Sequence, residues 1–116
     1  MNRRIRFTII FSAPEFPYQA VMNYLTPKLS QLFAGACCQP VDGIWSPDGN
    51  QDKLLYLEGK QEAGMKITLS IMPLKKQETE TKIQDILQEL KTQLNLSIHW
   101  VHVESEEVTA HHFHLH

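Results

Sequence analysis

Residues 78–95 read "ETETKIQDILQELKTQLN", and this stretch decides the fold. Ile83, Ile86, Leu87, Leu90 and Leu94 recur every three or four positions, which places them on one face of a helix. Charged and amide side chains cover the remainder. Glu78 and Glu80 stand at the start and Lys91 near the end, the arrangement a helix dipole favours, with Asn95 as a cap.

Downstream, "LSIHWVHVES" (96–105) has the β-branched and aromatic content of a strand. "EVTAHHF" (107–113) either adds a short strand or departs as a tail, with residues 110–116 read as a C-terminal tail. Upstream, "KLLYLEGK" (53–60) and "MKITLSIMP" (65–73) flank "QEAG". They predict a third strand with a further hairpin centred on Glu62 to Gly64. "SPDGNQD" (46–52) is a turn, because Pro-Asp-Gly supplies the required backbone angles. "ACCQPVDGIW" (36–45) is a second strand that Pro40 confines to an edge or a bulge.

Further upstream, Val21, Leu25, Leu29 and Leu32 recur at helical spacing between Tyr18 and Phe33, with Tyr24 and Phe33 widening the stripe. Thr26-Pro27 suits a cap and a first helical position, so a kink or a restart is expected there, and Gly35 is the expected stop. "RIRFTIIFS" (4–12) is the first strand, broken by "APEFP".

The order is β-α-β-β-α-β in a single domain spanning 1–116. Two right-handed crossovers then give an α+β, ferredoxin-like sandwich: an antiparallel sheet with two helices on one face. On the third strand Ile67, Leu69 and Ile71 share one side, and Thr68, Ser70 and Met72 share the other. The second set is only weakly polar. A homo-oligomer, dimer or trimer, formed through this open sheet face is therefore expected.

Composition narrows the function classes. The 116 residues carry a formal net charge of −2, with 42% hydrophobic and 21% charged residues. A dominant nucleic-acid surface would show a basic stripe, and Arg3, Arg4 and Arg6 form the single local cluster, read as the solvated start of a strand. "FTIIF" falls short of the roughly 7–15 apolar residues of a secretory signal, and nothing approaches a membrane span. A cytoplasmic location with no membrane or nucleic-acid partner is expected. Cys37 and Cys38 are adjacent, which excludes a disulfide framework and a zinc-ribbon spacing; alternation sends one thiol inward and the other outward.

Chemistry concentrates in three places. The chain closes on "AHHFHLH" (110–116), and an extended conformation puts His112, His114 and His116 on one side. Alternating imidazoles suit a divalent transition metal, with His102 or Glu104 as an additional ligand. In "HWVH", His99 and His102 fall on opposite faces of a strand, so that either Ile98, Trp100 and His102 point inward or His99, Val101 and Val103 do. In "DGIWSPDG" (42–49), Trp45 beside the Asp48 turn can pack as a cap on the barrel end, fill an interface pocket or stack on a ligand. Trp45, Asp48, Trp100 and His102 are the candidate ligand or interface residues. No P-loop, GxGxxG, GxSxG, HExxH or CxxC occurs, and no catalytic residue is assigned.

Two resemblances follow. "TPKL" and "DGIWSPDG" resemble a family of small uncharacterised bacterial proteins with Thr-Pro followed by Gly-x-Trp and Pro-x-Gly, here Thr26, Pro27, Gly43, Trp45, Pro47 and Gly49. This implies a ferredoxin-like fold without an assigned activity; the "ACCQPV" approach to Trp45 is longer than in that family. "AGACC" and "LLYLEGKQEAGMKITLSI" (54–71) are similar to the CutA divalent-ion tolerance proteins, trimers of this topology, with Leu57 where an aromatic is expected. Neither implies a site. The expected function is a self-associating binding or regulatory domain. The alternatives are a metal-binding protein using the C-terminal histidines and an enzyme with an inter-subunit site.

Overall fold

The computed structural model describes residues 2–49 and 51–116, so Asn50 of the expected turn lies outside the described residues. Strand β1 is Arg3–Ser12, helix α1 Tyr18–Phe33, strand β2 Cys37–Trp45 and strand β3 Lys60–Ile71. A 3-10 turn at Pro73–Lys75 leads into helix α2, Lys76–Gln93, and strand β4 is Val101–Thr109. Among the described residues the strands form one antiparallel sheet in the order β2-β3-β1-β4. This is the expected α+β, ferredoxin-like layout.

The core is built from strand alternation and two helical stripes. Ile5, Phe7, Ile9 and Phe11 on β1 and Met65, Ile67, Leu69 and Ile71 on β3 all point to one side. Val21, Leu25, Leu29 and Phe33 of α1 and Ile83, Ile86, Leu87 and Leu90 of α2 close over them in the same cluster. Burying such side chains contributes roughly 1.5–3 kcal/mol each. Leu32, expected in the α1 stripe, is exposed.

Several local expectations are corrected. Helix α1 runs unbroken through Pro27, and the Thr26 hydroxyl donates to the Met22 carbonyl at 2.7 Å. Its left-handed stop is Ala34 (φ 63), not Gly35. Residues 53–59 form no strand, and there is no hairpin at Glu62 to Gly64, because those residues continue β3 opposite Gly43 to Val41. The last strand begins at Val101 rather than at 96, since Asn95 (φ 51) closes α2 and turns the chain. There Leu96 N–H donates to Lys91 O at 3.0 Å and Asn95 N–H to Thr92 O at 3.4 Å, the paired bonds of a Schellman cap.

The two faces of the sheet differ. On the open side, opposite the helices, Arg6 of β1 pairs with Glu106 and His102 meets Glu104 at 2.7 Å. Lys66, Thr68 and Ser70 of β3 lie on this side as well. The open face is thus more polar than the sequence pattern of β3 alone suggests. On the helix side, α2 covers β1 and stops short of β4.

Candidate functional site

Strand β2 delivers Trp45 to the open side, opposite Lys60 and on the same side as Glu62. Its indole lies across Gly43, where a Cβ would come within 2.2 Å of Nε1. That Nε1 is buried without a hydrogen-bond acceptor. Trp100, 57% exposed, precedes β4, and its ring rests on Gly49, whose Cβ would fall 2.6 Å from it. Gly49 also needs its positive φ of 72° for the Pro-Asp-Gly turn. The connection 46–59 therefore carries its turn across the end of the sheet from Trp45 to Trp100.

Asp48 staples this connection. Its carboxylate accepts from Leu57 N–H and from Lys53 Nζ, both at 3.1 Å. The Leu57 backbone bond first, and the Lys53 ammonium second, hold its carboxyl below the usual range. Lys53 N–H donates to the Tyr56 hydroxyl at 2.9 Å and Asp48 N–H to Ser46 Oγ at 3.2 Å. Both bonds fall on Asp48 Oδ2, within its own loop.

Two adjoining grooves share the two tryptophans as walls. One, of about 320 Å³, adds Ser12, Glu58, Glu62 and His99. The other, of about 390 Å³, adds Ile44, Tyr56 and His102. Ser12 Oγ donates to Glu62 Oε1 at 2.8 Å, which fixes one carboxylate in the first groove. Trp45 and Trp100 thus line both grooves and His102 the second, a convergence the sequence did not indicate, while Asp48 lies outside both linings.

Glu58, Glu62, Ser12 and Tyr56 were not singled out from sequence. One signal was legible: Gly59, where a Cβ would collide with the Trp45 carbonyl, marks a close backbone approach.

The other candidates sit apart. Residues 110–116 form neither helix nor strand, and the rings of His114 and His116 are 4.8 Å apart. Among the described residues no three His, Cys, Asp or Glu side chains are grouped to hold a metal within one chain. Cys37 is exposed and Cys38 half-buried, following strand alternation. Burial pushes the Cys38 thiol up, and adjacent Cys37 adds to this, so the chain does not activate it. A third groove, of about 580 Å³, runs between α2 and β4 and is lined by Phe7, Ile83, Leu87, Ile98, Val101 and Val103 among others. No described helix is long and apolar enough to cross a membrane.

No protein-family profile and no curated protein matches the chain. Among solved structures it is similar to a phage SAM lyase in complex with S-methyl-5'-thioadenosine. The match spans 92% of this chain and 90% of that one, with a TM-score of 0.54 at 14% identity. This is a likeness of fold.

Proposed function

We propose that this chain is a self-associating ligand-binding domain whose ligand site is the aromatic groove between Trp45 and Trp100. The carrying observation is that the only two tryptophans of the chain wall the same pair of grooves, each seated on a glycine. A flat heteroaromatic ring stacks well on such surfaces, at roughly 1–3 kcal/mol per base. Glu58, Glu62 and His99 offer hydrogen-bonding groups for hydroxyls beside it. The volume is within the range of about 300–1,000 Å³ typical of small-ligand sites. The ligand class is a purine nucleoside with a sulfur substituent, supported by the fold shared with a protein that holds S-methyl-5'-thioadenosine.

Self-association is supported by exposed apolar residues that a lone chain leaves in water: Leu54, Leu55, Phe113 and Leu115. The radius of gyration, 15.5 Å, exceeds the roughly 13 Å of a compact chain of this length, as projecting segments require.

Titration with S-methyl-5'-thioadenosine tests the ligand, because both tryptophans line the groove. A saturable change in tryptophan fluorescence, lost in Trp100→Ala, supports the site. The absence of both a fluorescence change and calorimetric heat at millimolar nucleoside overturns it. A second reading, an enzyme acting in this groove, is favoured by the Ser12–Glu62 pair and Glu58 beside the aromatic walls. Incubation with SAM, followed by chromatography for S-methyl-5'-thioadenosine, separates the two.

A further inference from the structure

Among the described residues strand β4 is an edge with one neighbour, β1, and nearly all of its residues are exposed. Val101 and Val103, 39% and 43% exposed, face the uncovered α2–β4 groove, whereas His102, Glu104 and Glu106 face the open side. The chain then continues past β1, where Ala110 N–H donates to Asn2 O at 2.8 Å. The tail that follows alternates apolar and imidazole side chains, with Phe113 and Leu115 68% and 81% exposed. Running away from β4, it leaves its own groove uncovered. A second copy of the chain solves both problems.

We propose that two copies pair β4 to β4 in antiparallel fashion about a two-fold axis at Val108, each tail adding as a strand segment beside the other's groove. Strand alternation dictates the rest. With Val108 opposite Val108, Phe113 falls opposite Val103 of the second copy and Leu115 opposite Val101, on the side of the groove. On the open side His112 falls opposite Glu104 of the second copy and His114 opposite His102. A carboxylate thus meets an imidazole, and no two glutamates stand face to face. Centring the pair on Ser105 instead would oppose Glu104 with Glu106, a like-charge pair that disfavours that register. The six tail residues reach roughly 20 Å when extended, enough to follow the edge from Ser105 to Val101. The arrangement is isologous and closes, so it makes a dimer with one continuous sheet.

This inference rests on the self-association part of the proposed function and names its surface. The test is a full-length Val108→Cys variant in a Cys37→Ser, Cys38→Ser background, oxidised and run on a non-reducing gel, with sedimentation velocity on the parent chain. Directly opposed residues have Cα atoms about 4.5–5.5 Å apart, within disulfide reach. The expected result is a dimer in sedimentation and a disulfide-linked dimer on the gel. Phe113→Asp with Leu115→Asp is expected to weaken the dimer by roughly a hundredfold or more while leaving the circular dichroism of the monomer intact. An oligomer that neither cross-links at position 108 nor responds to the tail substitutions overturns this surface and leaves self-association standing. A monomer at all concentrations overturns both, without touching the nucleoside titration.

Discussion

Strands β1 and β4 are neighbours in one sheet, yet they live in different environments. On β1 every second residue from Ile5 to Phe11 is buried to within a few per cent, while on β4 the residues in register with them, Val101 to Glu107, stay exposed. The cause is placement of α2, whose stripe of Ile83, Ile86, Leu87 and Leu90 is spent on the inner strands. Alternation tells which side chains share a face. It does not tell whether anything covers that face, and an uncovered edge beside a groove is where a partner finds both hydrogen bonds and apolar surface.

The largest expected effect breaks this contrast directly. Phe7→Ala should cost about 3–5 kcal/mol in chemical denaturation, because a fully buried ring leaves a cavity between β1 and the helices. Val103→Ser, one strand away, should change the stability of the monomer by less than about 1 kcal/mol while weakening the dimer. Equal losses from the two substitutions would mean that β4 is covered within a single chain.

The ligand groove gives the next effect. Trp100→Ala should weaken nucleoside binding by about 1–3 kcal/mol, roughly five- to 150-fold, with little change in thermal stability since the ring is more than half exposed. Calorimetric titration and a melting curve on the same sample check both halves.

The metal reading sharpens the contrast at the edge. Among the described residues one chain groups no three donors, but the paired register sets His112 and His114 beside Glu104 and His102 of the second copy. Zinc should therefore tighten the dimer several-fold, and His112→Ala with His114→Ala should abolish the response, as read by sedimentation with and without chelator.

The smallest effect concerns the connection between the tryptophans. The Asp48 carboxyl lies lower in the folded chain than when free, so its ionised form stabilises the loop at every pH above the free-carboxyl range. That stabilisation is lost as pH falls through the lowered value, below about pH 4. Tryptophan emission should shift there, and Asp48→Asn should produce the same shift at neutral pH. An acid-insensitive emission with an unaltered Asp48→Asn spectrum would show that the staple does not hold the Trp100 seat.

Much of this was legible beforehand. The 3.6-residue period of Ile83 to Leu94 and the alternation of Ile5 to Phe11 specify helix and strand through local geometry alone, and their order limits the topology to a split crossover. The misreadings arose where local signals competed. "KLLYLEGK" has the apolar content of a strand, but Asp48 draws Leu57 N–H and Lys53 into a loop staple, and the segment stays outside the sheet. Pro27 reads as a break, yet α1 continues because its buried stripe on both sides outweighs one missing donor. Ser12, Glu58 and Glu62 carry no motif, since they come from separate elements.

The sequence by itself determined the two helices, the order of helices and strands, which side of β1 and β3 is apolar, and the turn chemistry at Pro47 to Gly49, because these follow from backbone angles and side-chain period over short spans. Only the tertiary structure decided that Trp45 and Trp100, 55 positions apart in the chain, face one groove, and that β4 is left bare. Those outcomes depend on strand register and on where a helix of finite width comes to rest over a four-stranded sheet, quantities that no local pattern encodes.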